Sequence, residues 1–256
     1  MPSASPRIDT NYRRRARLKG GLVVQLRLIG PQDRERFVAG FERLSPESRY
    51  RRFFTPVTRL REDAIDHLLD TDNHDHLALG AEMLGANGQP VGPIVGVARY
   101  IRLRDQPEVA EAAVTVGDDL QHRGLGRLML SVLVRAAVER DIRRFRAHVM
   151  SDNTPVLKLL RTLDTTLQPL NDDSGALVYE FELPETSPRS IREEPMYAVL
   201  RTSARKVRRT IDLAAHLPWL RKWLHEAQEW GDELSAIGKG RSMDVNQAPV
   251  DAGEED

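Results

Sequence analysis

Along the chain, runs dense in β-branched and long apolar residues alternate with stretches where apolar residues recur three and four positions apart. "GLVVQLRLI" (Gly21–Ile29) reads as a strand. In "GPQDRERFVAGFERLS" the spacing of Phe37, Phe41 and Leu44 predicts an amphipathic helix. "SPESRYRRFF" predicts a second helix, with Ser45 as its cap and Pro46 in its first position. Leu60, Ile65, Leu68 and Leu69 mark a third. "HLALGAEML" and "GPIVGVARYIRL" are strands joined through Asn87-Gly88, a hairpin-turn pair. Val109–Val116 is a strand, and Gly124–Arg140 is a helix with Leu125, Leu128, Val132 and Ala136 on one stripe. A strand (Arg143–Met150), a helix (Asn153–Leu163) and a strand (Gly175–Leu183) follow. The order β-α-α-α-β-β-β-α-β-α-β implies an α/β fold of the α+β kind, a mixed sheet with helices packed on it.

Outside this block the pattern changes. Residues 1–16 read as a disordered basic arm: residues 1–20 hold six Arg or Lys against Asp9 alone. Residues 185–196 have the composition of a linker, 197–237 carry two helical patterns, and 238–256 read as a disordered acidic tail. All three tryptophans, Trp219, Trp223 and Trp230, lie in the helical arm beside a seam of Leu213, Leu217, Leu220, Leu224 and Ala227. That arm either folds back on the domain or a second copy, giving a homodimer, or docks a partner.

Composition narrows the chemistry. The 256 residues have formal net charge zero, which does not suggest a nucleic-acid partner. There is no cysteine, so disulfides, thiolate metal sites and thiol catalysis are excluded. No apolar run approaches the ~18 residues of a membrane span, and the N-terminus lacks the apolar core of a signal peptide; a cytoplasmic protein is expected. His67, His74 and His76 lie near Asp70, Asp72 and Asp75, but their spacing matches no zinc pattern, and no metal is expected.

The chemistry concentrates in "AEAAVTVGDDLQHRGLGRLMLSVLVRAAVER" (Ala110–Arg140), where a strand passes through an acidic loop and two glycines into a helix. A helix start offers unpaired N–H groups and the positive end of the dipole to an anion. Glycine at 124 and 126 leaves the backbone open to phosphate, although a tight strand-to-helix turn is the plainer use of such a pair. The dinucleotide fingerprint fails because Met129 replaces the third small residue, and the P-loop Gly-Lys-Ser/Thr is missing.

Gln121-His122-Arg123-Gly124-Leu125-Gly126 resembles the pyrophosphate motif Q/R-x-x-G-x-G/A of the GNAT superfamily of acyl-CoA N-acyltransferases. The resemblance covers about residues 17–184 and is greatest to bacterial protein-lysine acetyltransferase domains, through "LSPESRYRRFF" and "AEAAVTV". It implies a GNAT-like fold with acetyl-CoA as co-substrate and an amine, a protein lysine, as acceptor. By resemblance, the backbone of Val114, Thr115 and Val116 would lie along the pantetheine. His122, Arg123, Gly124, Leu125, Gly126 and Arg127 would receive the pyrophosphate. Asn153 would contact the cofactor, a role compatible with capping the next helix.

Acyl transfer needs a neutral amine, and lysine has a pKa near ~10.4, so a base is required. Glu111 is the candidate, at a position where these relatives carry a glutamate. Strand alternation puts it on one face with Ala113 and Thr115, opposite Ala112, Val114 and Val116. An irregularity in this strand is expected to expose N–H groups to the thioester. His148 stands where some members carry a second base, although strand histidines also serve in packing. Two departures are visible. Leu160 replaces a tyrosine that protonates the leaving thiolate, and Asp164-Thr165 replaces a glycine-aromatic pair. The readings left open are a lysine acetyltransferase, a small-molecule amine acetyltransferase, and a catalytically weak acyl-CoA-binding or partner-docking module.

Overall fold

The apolar runs enter a single sheet in a computed structural model that describes residues 7–161 and 176–184. Its strands are β1 (Arg14–Arg17), β2 (Val23–Leu28), β3 (His76–Leu84), β4 (Pro90–Arg102), β5 (Val109–Val116), β6 (Arg144–Met150) and β7 (Ala176–Glu182), lying side by side in chain order. Neighbours are antiparallel except β5 and β6. A parallel pair needs a crossover, and α4 (Leu125–Val138) supplies it.

Alternation divides the core between the two faces of the sheet. Leu77, Leu79, Tyr100, Ala110, Ala112 and Phe145 pack with Leu125, Met129, Val132, Leu133 and Ala136 of α4. On the other face Ile29, Ala78 and Ile94 pack with Phe41, Leu44, Ile65, Leu68 and Leu69. These come from α1 (Arg34–Glu42), α2 (Pro46–Phe53), α3 (Glu62–Leu69) and their connections. The expected α/β mixed sheet is present, with α5 (Thr154–Arg161) between β6 and β7. Ser45 caps α2 as its sequence predicts: its Oγ accepts from Ser48 N at 3.1 Å, and Pro46 takes the first turn. The Asn87-Gly88 turn closes the β3–β4 hairpin, with Gly88 at φ 73°.

The N-terminus departs from expectation. Residues 8–16 are not a free basic arm. β1 pairs with β2 from Arg14↔Leu26 to Arg17↔Val23, and Ile8 and Tyr12 lie in the larger core. Glu139 Oε2 accepts from Ile8 N at 2.9 Å, and Arg140 Nη2 donates to Ile8 O at 2.7 Å. The arginines that gave the segment its disordered look decorate an edge strand, where charge opposes unwanted pairing. Residues 1–6, the linker, the helical arm with its seam, the acidic tail and Asp164-Thr165 lie outside the described residues. Among the described residues no helix is long and apolar enough to cross a membrane.

One glycine decides how closely α1 approaches the sheet. A Cβ on Gly40 would stand 2.1 Å from the carbonyl oxygen of Ile94 in β4, a backbone atom that cannot swing aside. Alanine normally stabilises an exposed helix position by up to ~1 kcal/mol relative to glycine. Here the sign should reverse. Gly40→Ala should lower unfolding stability by about 1–3 kcal/mol through overpacking, measured by urea denaturation; equal or higher stability would refute the close approach.

Candidate active site

The site begins where two strands stop pairing. β5 stays in regular register with β4 from Ala110↔Arg102 to Val116↔Gly96. Its parallel ladder to β6 has only Val109↔Arg144, Ala110↔Phe145 and Glu111↔Arg146. Past Glu111 the two strands part, while β6 remains paired with β7 as far as Met150. The expected irregularity within β5 is therefore corrected. The register shifts lie at Ala81–Met83, between β3 and β4. Divergence of β6, not a bulge in β5, leaves the Ala112–Val116 edge without a strand partner among the described residues.

Side chains on that open edge go to both faces. Val114 and Val116 pack toward α4, whereas Ala113 and Thr115 line a cavity of about 60 Å³ under α1–α3. Glu111 shares the face of Ala113 and Thr115, as alternation requires. It stands at the fork, with His148 Nε2 4.0 Å from Glu111 Oε2. Burial pushes the Glu111 carboxyl up to about 7, and the charges of Arg52 on α2 and Arg146 on β6 pull it partly back. Arg146 is only 4% exposed and is matched by Glu180 at 2.8 Å. Arg52 is held below the usual arginine range by burial, partly offset by Glu111. Arg99, on β4, is pushed down to about 9 by burial and by the like charge of Arg52.

The glycine motif sits at the open end of the same gap. Gly124 caps α4 at φ 92°, a left-handed conformation that favours glycine. The first helical bond runs from Leu128 N to Gly124 O at 3.1 Å, so the amides of Leu125 and Gly126 belong to the open first turn. A Cβ on Gly126 would lie 3.6 Å from Val116 Cγ2 and 3.7 Å from Leu159 Cδ2, so the helix start faces both the end of β5 and α5. Arg127 is half-buried in this turn, and His122 is exposed at φ 59°. Asn153 caps α5: its Oδ1 accepts from Val156 N at 3.4 Å and its carbonyl accepts from Leu157 N at 3.0 Å.

Two motif residues serve the loop itself. Gln121 Nε2 donates to Val116 O at 3.3 Å and to Ser48 Oγ at 3.2 Å. Arg123 Nε donates to Asp119 O at 3.0 Å. Asp118 ties the loop to α2, accepting from Ser45 N, Ser45 Oγ and Ser48 Oγ at 2.7–2.9 Å. Burial would raise the Asp118 carboxyl, but the bonds from Ser48 and Ser45 outweigh it and hold it below the usual range. Leu160 is buried in the larger core. The acidic loop near the histidines is a turn: Asp72 Oδ1 accepts from the N–H groups of His74, Asp75 and His76, each at 2.8 Å. Among the described residues no group of three or more His, Asp or Glu is arranged to hold a metal ion.

Sequence reading missed Arg52, Arg99 and Arg146. They come from three separate elements, and an arginine in a charged helix or an apolar strand carries no local signal of convergence. The parting strands, the open helix start and a carboxyl with a raised pKa together suit an extended thioester with an anionic end, reacting beside a base.

The chain is similar in sequence and fold to known acetyltransferases. The model of the acetyltransferase (GNAT) family matches residues 41–164. The acetyltransferase Pat of Mycolicibacterium smegmatis is 31% identical over 186 residues, 73% of this chain and 53% of that protein. An acetyltransferase of Pseudomonas aeruginosa is 28% identical over 166 residues, 65% of this chain and 87% of its own length. The crystal structure of the GNAT domain of S. lividans PAT superposes with a TM-score of 0.59 at 30% identity, covering 67% of this chain and 97% of that one. The chain spans about half the length of the Mycolicibacterium relative.

Gly126 offers a test that separates folding from binding. Its missing Cβ would meet neighbours only at ordinary contact distance, so alanine fits the protein. Gly126→Ala should leave the melting temperature unchanged or slightly raised, because alanine favours the helix. It should weaken CoA binding about tenfold, ~1.4 kcal/mol, by calorimetry. Unchanged affinity in the folded variant would remove the helix start from the CoA site.

Proposed function

Because the chain belongs to the acetyltransferase (GNAT) family, we propose that it transfers an acetyl group from acetyl-CoA to an amine, with a protein lysine as the acceptor and Glu111 as general base. The observation that carries this reading is the Glu111 carboxyl, raised to about 7, at the point where β5 and β6 part. Lysine as the acceptor is supported by the resemblance to bacterial protein-lysine acetyltransferase domains and by the likeness to the acetyltransferases named Pat.

The chemistry follows from the residues. Acetyl-CoA supplies an acyl group already activated as a thioester. The amides at the start of α4 receive its pyrophosphate, and the open edge of β5 hydrogen bonds the pantetheine arm and the thioester oxygen. At pH 7 only about one lysine in 2,500 is neutral, from a pKa of ~10.4. Glu111 Oε accepts the ammonium proton, so the amine nitrogen gains a lone pair for attack on the thioester carbon. The C–N bond forms, leaving the nitrogen with one proton too many; the C–S bond breaks, CoA leaves as a thiolate, and that second proton passes from the nitrogen through water to the sulfur. A relay without a dedicated acid is tolerable because a thiol has a pKa of only ~8.5. His148, 4.0 Å from Glu111, is positioned to share the proton.

A second reading is favoured by one observation. Leu160, buried in the core, stands where a tyrosine proton donor is expected. It describes an acyl-CoA-binding module with slow turnover.

The pH profile decides between them. With Glu111 as base, kcat/KM should rise through about pH 7 and then level until the lysine itself titrates, because the reactants are the carboxylate and the ammonium. Glu111→Gln should lower the rate ~10²-fold at pH 7 while CoA affinity holds. Its residual rate should climb with pH toward ~10, following the neutral amine. A Glu111→Gln enzyme within a few-fold of wild type at pH 7 would transfer the role of base to His148. Acetyl-CoA binding without turnover onto any amine would establish the slow module.

A further inference from the structure

Among the described residues the buried arginines other than Arg99 are matched, as are the half-buried Arg27 and Arg144 of the sheet. Arg27 meets Asp33 and Glu82, Arg144 meets Glu108 and Glu180, and Arg146 meets Glu180. Arg140 donates to the carbonyls of Asn73, Ala136 and Ile8. Arg99 differs. It is 5% exposed, its Nη2 donates to Leu68 O, and its Nη1 has no hydrogen-bond partner among the described residues. Its charged neighbour is Arg52, another cation, and Arg52 hydrogen bonds no carboxylate among the described residues.

Both arginines line the cavity of about 60 Å³ that Ala113 and Thr115 bound from β5 and Phe41 and Phe53 bound from the helices. A buried unpaired charge costs several kcal/mol, and two cations side by side cost more. Such a pair is stable and useful when an anion completes it, and the guanidinium fork suits a planar two-oxygen anion. The cavity is large enough to admit a small anionic group such as a carboxylate. Ala113 lies two residues along β5 from Glu111 on the same face, about 7 Å at ~3.4 Å per residue.

We propose that the Arg52–Arg99 cavity binds a carboxylate carried by one of the reacting substrates, holding it beside Glu111. Resting on the acyltransferase reading above, this assigns the enzyme a substrate class: an amine acceptor with a nearby carboxylate, or an acyl group that ends in one. Glu111 partly offsets Arg52, but it does not act on Arg99, whose Nη1 stays without a hydrogen-bond partner among the described residues.

The test uses the full chain and pairs of substrates that differ only in the carboxylate. In the acceptor arm, acetyl-CoA is offered with lysine peptides carrying glutamate or glutamine beside the lysine, and with free amino acids or their amides. In the acyl arm, succinyl-CoA and acetyl-CoA compete for one neutral peptide. In one arm the carboxylate-bearing member should have a kcat/KM at least about tenfold higher. Arg52→Gln and Arg99→Met should each reduce that ratio to within about twofold. The ratio is taken within each variant, so a general loss of rate cancels. Arg52 lies on a half-buried helix position, and its variant serves if Arg99→Met does not fold. Ratios near one in both arms, or a preference that survives in the folded variants, overturn the proposal. If no amine is acylated at all, the transferase reading fails by itself. The cavity is then read by titrating succinate alone: a melting temperature that rises in wild type but not in Arg52→Gln supports the site, and no rise overturns it.

Discussion

The parting of β5 and β6 after Glu111 is the constraint on which the site depends. A parallel ladder that continued would pair the Ala112–Val116 edge and close the sheet. It stops after three residues because β6 stays paired with β7 while β5 follows β4. The gap thus exposes backbone groups in an otherwise finished sheet while β5 keeps a regular register with β4. The crossover helix α4 starts at the open end of this gap, so the amides of its first turn face the same space. Backbone edge, helix start and carboxylate are three products of one topological break.

Charge explains why chemistry falls at the closed end of the gap. Burial raises the Glu111 carboxyl, and cations on α2 and β6 limit the rise, leaving it near neutrality instead of permanently protonated. Burial is the larger effect, so the carboxyl stays raised, in the range a base at neutral pH would need. Excess positive charge from Arg52 and Arg99 lies on the same face of the sheet. This face therefore carries positive charge that an anion would complete.

The two ends of the site are joined through α2. Its cap residues Ser45 and Ser48 bond Asp118, and Gln121 reaches both Ser48 and the last carbonyl of β5. The same helix carries Arg52, whose charge acts on Glu111. A shift of α2 would move the glycine loop and the electrostatic partner of Glu111 together. Conserving that geometry is the physical role of Gln121, which stabilises the loop from within.

The sequence by itself determined the elements whose stabilisation is local. Ser45-Pro46 caps α2 through an atom three residues away, and Asn87-Gly88 closes a turn within five residues. The alternation of Val109–Val116 sorts Glu111 from Val114 and Val116, and the Gly124–Gly126 pair marks the helix start. Tertiary structure decided what depends on distant partners. β1 is a strand because β2 pairs with it, and Ile8 is core because Glu139 and Arg140 hold its backbone from more than 130 residues away. The fork appears only when β6 chooses β7 over β5. The Arg52, Arg99, Glu111 and Arg146 cluster draws one residue from each of four elements, and no period along the chain encodes such a meeting, because burial and charge balance are set by the packing of the sheet and its helices.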